Sequence, residues 1–178
     1  MSDPAPAAGQ PESLRHARDH VRKFLVVVDK SPECRVAIRF AALRARHTGG
    51  RVTLLCVNQP ADFQQWRGVE EIMKDEAHQE AESLLHAAAK TVNELTGIIS
   101  ELVILTGRPD DCVLQLIKDD PAISVLVLAA STAKEAPGPL VSLAGARQYP
   151  IPVTIVPGGL YDAALDSLAS ALAVGLSS

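Results

Sequence analysis

The sequence predicts an α/β protein built on an open, doubly wound parallel sheet. Three observations carry that expectation. Short β-branched runs alternate with amphipathic helical stretches five times along the chain. The runs are apolar throughout rather than alternating, as in strands buried on both faces. Each helical stretch between runs is long enough for a crossover, which joins parallel neighbours with right-handed connections.

The elements follow in order. Residues 1–22 are Pro/Ala-rich and then charged, and read as a mobile arm. Phe24–Val28 (FLVVV) is the first strand, ended by Asp29. Ser31-Pro32 then supplies an N-cap with Pro at the first helical position. Cys34, Ala37, Ile38, Ala41 and Ala45 recur at helical spacing, with Arg35, Arg39 and Arg46 toward water, until Gly49-Gly50 stops the helix. Val52–Val57 is the second strand. A long helix over Val69–Leu95 presents Val69, Ile72, Met73, Ala77, Leu84, Leu85, Ala88, Val92 and Leu95 on one face. Ile98–Leu105 is the third strand, and its Ser100-Glu101 pair marks an edge. Pro109 opens a helix that ends near Asp120, before Pro121. Ile123–Ala130 is the fourth strand, Leu140–Arg147 a short helix, and Pro152–Val156 the fifth strand. The tail carries Leu165, Leu168, Leu172 and Leu176 along one helical stripe.

Composition narrows the function. Apolar residues make up 47% and charged residues 21% of 178 residues, which fits one globular domain with a tail at either end. A net charge of −4 gives no electrostatic reason to seek nucleic acid, and three Phe, two Tyr and one Trp are too few for a base-stacking platform. Cys34, Cys56 and Cys112 lack CxxC spacing and read as small buried hydrophobes in a reducing compartment. The N-terminus has no signal-peptide core and no run approaches ~18 apolar residues, so the cytoplasm is the expected location, with no membrane partner.

Open α/β sheets bind ligands beyond the carboxyl ends of their strands. The loops there exclude several chemistries. No GxGxxG follows the first strand, and neither GxxxxGK[ST] nor GxSxG occurs. The acidic cluster of a phospho-receiver cannot be built, because Asp29 stands alone. His78 and His86, with Glu82 between them, are better read as solvated helix residues than as a metal site.

Four stretches point further: FLVVVDKSPECRVAIRFA, VTLLCVN, TGRPDDCVLQLI, and SVLVLAAS followed by RQYPIPVTIVPG. In order and spacing they resemble the universal stress protein superfamily over about Lys23 to Gly158. The resemblance implies an adenine nucleotide α-hydrolase-like sheet of order 3-2-1-4-5 and a homodimer, often through the fifth strand. It divides the chain into the arm (1–22), the domain (23–158) and a C-terminal amphipathic helix (159–178). In nucleotide-binding members the positions of Asp29 and Val57 hold adenosine. Asp29 is equally suited to bracing the loop before its helix.

Such members hold phosphates with a G-x2-G-x9-G-[ST] motif after the fourth strand. Here Ala129 and Thr132 stand at the first two glycines, Gly138 is near the last, and the loop is about three residues short. A left-handed conformation costs a non-glycine residue roughly 1–2 kcal/mol. Two such residues would weaken binding by roughly 30- to 1000-fold. Ser131 and Thr132 hydroxyls, Lys134 and the Leu140 helix offer partial compensation, or the loop simply faces water. Phe63 and Trp66 either stack on a base or fill the cleft mouth.

The expected function is a stress-response signalling or interaction module without catalytic residues, metal or tightly bound cofactor. It would act as a homodimer, through Pro152–Val156 and the C-terminal helix, and on a further protein partner. The alternative is a regulatory protein binding ATP or AMP with Mg²⁺, with slow hydrolysis at most.

Overall fold

A computed structural model describes residues 21–59, 67–132, 140–141 and 149–174. Five strands, β1 (Lys23–Val27), β2 (Arg51–Asn58), β3 (Glu101–Thr106), β4 (Ile123–Ala130) and β5 (Val153–Pro157), form one sheet. Its order is β3-β2-β1-β4-β5 and every pairing is parallel, as the resemblance implies. Four helices, α1 (Cys34–Thr48), α2 (Arg67–Thr96), α3 (Pro109–Asp119) and α4 (Asp162–Val174), accompany it. Residues 140–141 are also helical.

Strand alternation sorts the core into two layers. Phe24, Val26 and Val28 join Val52, Leu54 and Val127 under α1, α2 and α4. Leu25, Leu55, Leu126 and Leu128 point the other way, onto Val113 and Ile117 of α3 and, at the margin, Leu140 and Val141. Ile123 shares that second face with Leu126, an odd spacing that a regular strand forbids. A register shift against β1 between Lys23 and Phe24 skips Ser124 and restores the alternation.

Three boundaries differ from the sequence reading. Helix α1 begins at Cys34 rather than beside Ser31, because Ser31 gives both its amide and its hydroxyl to the Asp29 carboxylate. Its N-cap residue is Glu33, whose side chain caps nothing in the helix. Gly49 closes the helix as expected, with φ 67° and its amide reaching the Ala45 carbonyl. Strand β3 begins at Glu101, where pairing with Thr53 of β2 starts, and Ile99 before it is exposed. Strand β5 runs one residue later than Pro152–Val156 and forms an edge.

Only part of the apolar face assigned to α2 is buried. Leu85, Ala88 and Val92 of that face enter the core, joined by Ala81, which was not assigned to it, whereas Ile72 and Met73 are exposed. A helix of 30 residues is ~45 Å long, and an eight-residue strand such as β2 spans only ~26 Å. The first half of α2 therefore overhangs the carboxyl end of the sheet.

The tail helix packs on its own domain. Leu165 and Ala169 are fully buried against α1, while Leu168, assigned to the same stripe, is 45% exposed. Arg39, expected to face water, holds Asp166 with two hydrogen bonds of 2.9 Å. Arg35 reaches Asp162 at 3.1 Å and Arg44 donates to the Ala169 carbonyl. The arm up to residue 20, Phe63, Trp66, Lys134, Gly138 and residues 142–147 of the expected short helix lie outside the described residues, as does Leu176. Among the described residues no helix is long and apolar enough to cross a membrane.

Candidate functional site

The strand order reverses between β1 and β4, so a crevice opens beyond their carboxyl ends. Two clefts lie there, one on each side of the β1–α1 turn. The first, of about 190 Å³, is lined by Val27, Asp29, Ser31, Glu33 and Cys34 on one side. Ala129, Ser131, Leu140 and Val141 are among the residues opposite. The second, of about 310 Å³, lies between β1 and β2 and includes Asp29, Lys30, Val57 and Glu80.

Asp29 borders both clefts. Its Oδ1 accepts from the Ser31 amide at 2.9 Å and the Ser31 hydroxyl at 2.5 Å, a local turn that an Asp two residues ahead of a Ser readily makes. The bracing role read from the sequence is therefore present, and the carboxylate remains exposed beside both clefts. Lys30, in the wall of the second cleft, pairs with Glu80 of the same cleft at 2.6 Å.

The predicted residues divide between the two clefts. Asp29, Ala129 and Ser131 meet in the first, and Asp29 and Val57 in the second. Ala129 is not a turn residue: it belongs to β4 and pairs with Val156 of β5. No non-glycine residue among those described has positive φ, so neither Ala129 nor Thr132 pays the left-handed cost. The chain avoids that strain by running on as strand through Ala130.

Thr132 meets a residue the sequence reading passed over. The Glu33 carboxylate accepts the Thr132 amide at 2.8 Å and the Thr132 hydroxyl at 2.7 Å. Glu33 is 7% exposed. Those donors, the amide first and then the hydroxyl, hold its carboxyl below the ordinary carboxylate range. Gly158, just after β5, makes this packing possible. A Cβ there would collide with the Ala130 carbonyl oxygen and the Glu33 Cγ, and lie 2.9 Å from the Glu33 Cβ. Two sequence signals were available: an acidic residue directly after Ser-Pro, and a glycine pair closing the last strand.

All three thiols are held toward the neutral, less nucleophilic form. Burial pushes Cys34, on the wall of the first cleft, up to about 11, and it raises Cys56 and Cys112 as well. His78 lies 3.5 Å from Glu82, and both are exposed. Among the described residues no group of three His, Cys, Asp or Glu side chains gathers to hold a metal ion.

The sequence profile of the universal stress protein family matches residues 20–157. The chain belongs to the universal stress protein family. No match was found among the curated proteins. Solved structures share the fold at low identity. A universal stress protein from Lactobacillus plantarum is 20% identical, with a TM-score of 0.67 over 77% of this chain and 98% of that one. One from Archaeoglobus fulgidus, in complex with dAMP, is 21% identical, with a TM-score of 0.59 over 77% and 98% of the two chains. An Arabidopsis thaliana member with AMP bound is 19% identical, with a TM-score of 0.56 over 76% and 91%.

Proposed function

We propose that this chain is a non-catalytic regulatory module of the stress-protein family. Its switch-point cleft takes the nucleoside part of an adenine nucleotide weakly and does not grip a triphosphate. The observation that carries this reading is the charge of the first cleft. Asp29 and Glu33 are in its wall, and no Lys or Arg is among its described lining residues. A polyanion entering there meets like charge, whereas a ribose hydroxyl meets acceptors. The dAMP and AMP complexes of two family relatives support the nucleoside part of the reading. The high thiol values support the absence of nucleophilic catalysis.

Titration with ATP, ADP and AMP, with and without Mg²⁺, tests it by heat and thermal stabilisation. Weak, unsaturated binding at micromolar nucleotide is expected. A low-micromolar ATP dissociation constant, abolished by Asp29→Ala, would overturn the reading. No binding at millimolar nucleotide would remove its nucleoside part and leave an interaction module alone. The second reading, ATP or AMP held with Mg²⁺, draws on the same two carboxylates, because oxygen ligands favour that ion. It requires Mg²⁺ to raise affinity sharply.

The module is proposed to act as a homodimer through β5 and α4, and through a further protein partner. Pro152 precedes edge strand β5 and Pro157 is its last residue, and Ile155 is 45% exposed on it. Sedimentation showing a monomer at all concentrations would reject the dimer. Three free, buried cysteines support a cytoplasmic location. The division into arm, domain and C-terminal helix at residues 22 and 158 belongs to the same proposal.

A further inference from the structure

We propose that the Glu33 carboxylate is a built-in occupant of the anion position beyond β4, and that it sets the cleft's preference for an uncharged nucleoside over its phosphates. The proposal rests on the nucleoside reading above, and one arm of its test is independent of that reading.

The donors are those a phosphate oxygen would use. A backbone amide and a hydroxyl immediately after a strand, at the switch point of an open sheet, can both donate to one anionic oxygen. Here both donors, on Thr132, already converge on one Glu33 oxygen at 2.8 and 2.7 Å. An incoming phosphate must displace that oxygen or lie beside it. Displacement strips a buried carboxylate of its partners, and adjacency places two anions together with Asp29 on the same cleft wall.

Glu33 is also held in place. Its backbone is the N-cap of α1, so its stem leaves from a fixed point. The backbone after β5 closes over that stem at Gly158, whose amide donates to the Ala130 carbonyl at 3.1 Å. Three separate chain segments therefore set the carboxylate: the start of α1, the end of β4 and the turn after β5. A surface glutamate that merely found a nearby donor would not need the last of these to lack a side chain.

An uncharged nucleoside escapes the penalty. It needs no contact with the Thr132 amide, and Asp29 remains exposed for a hydroxyl. Selection between nucleoside and nucleotide thus falls on Glu33.

The test uses the full chain as wild type, Glu33→Gln and Glu33→Ala, with three probes: adenosine, ATP and inorganic tripolyphosphate. Glutamine keeps the volume and an acceptor for Thr132 while removing the charge, so it stands in if the alanine variant melts too low to measure. ATP and tripolyphosphate are expected to bind about tenfold or more tightly to the variants, a change of about 1.4 kcal/mol. Adenosine affinity is expected to stay within about threefold, well under 1 kcal/mol. Equal tripolyphosphate affinity in wild type and both variants would overturn the proposal and leave Glu33 a purely structural brace. An adenosine affinity that rises as much as that of ATP would overturn it too, because charge would not be the cause. If adenosine binds none of the three proteins, the nucleoside reading falls, and tripolyphosphate alone still decides whether Glu33 blocks the anion position.

Discussion

The two ends of the sheet treat buried charge in opposite ways. At the amino ends of the strands, Lys23 of β1 lies 2.8 Å from Glu101 of β3 and 2.7 Å from Asp120, just ahead of β4. The Thr53 hydroxyl of β2 completes the group on Glu101. Burial works against the Lys23 charge, but the two carboxylates outweigh it and raise its pKa above the ordinary lysine value. At the carboxyl ends, Glu33 has the Thr132 amide and hydroxyl instead of a cation in the cleft. One end is an ion group satisfied within the protein. The other holds an anion on neutral donors, and neutral donors can be exchanged. The proposed ligand chemistry lies at the second end.

Cutting the first group should give a large loss. Lys23→Ala leaves two carboxylates facing each other without their cation. With Glu101 two-fifths exposed, the cost is discounted to about 2 kcal/mol, or a melting temperature lower by about 4–8 °C. A larger loss in Glu33→Gln than in Lys23→Ala would break the contrast between the ends.

Gly158→Ala attacks the second end through its packing. The added methyl overlaps the Ala130 carbonyl and the Glu33 stem, for about 1–3 kcal/mol by thermal melting. The same variant should shift the Thr132 amide resonance, because the carboxylate must move.

Arg39→Ala tests a site away from both ends, the seat of α4. Asp166 is about half exposed, so about 1 kcal/mol is expected despite the two-point contact. Hydrogen bonding by Arg39 lowers the Asp166 pKa. Its stabilisation is therefore present above the ordinary value near 3.8 and lost as pH falls through the lowered folded value. Acid melting curves of wild type and Asp166→Asn should converge there.

Glu33→Gln should give the smallest change in melting temperature at neutral pH, because glutamine retains an acceptor for Thr132. The two ends should also differ in the direction of their pH dependence. The Lys23 contribution is present below 10.5 and is lost as pH rises through its raised folded value. That of Glu33 is present above 4.5 and is lost as pH falls through its lowered folded value. Alkaline melts of Lys23→Ala and acid melts of Glu33→Gln, each against wild type, check both signs.

Much of this arrangement was legible in the residues themselves. FLVVV and SVLVLAA could only be strands covered on both faces, and Gly49 and Pro121 ended helices where they stood. The place of Asp29 at the cleft followed from the rule that open sheets bind beyond their carboxyl ends. The Ser31 cap failed because Asp29 competed for the same hydroxyl, a local contest that residue preference alone does not resolve. The exposed start of α2 was illegible for a different reason: periodicity shows which face is apolar, not how far the sheet beneath extends.

The sequence by itself determined the element types and the parallel sheet, because these depend on side-chain periodicity and backbone preference over a few neighbouring residues; the missing phosphate glycines were what the family resemblance implied. Only the tertiary structure decided what meets the Thr132 amide and hydroxyl. Glu33, Thr132 and Gly158 are far apart in the chain, and no local pattern links them. They meet because the strand order brings β1, β4 and β5 side by side, so that a helix N-cap, a strand end and a turn share one corner. Folding turns three ordinary residues into one occupied anion site.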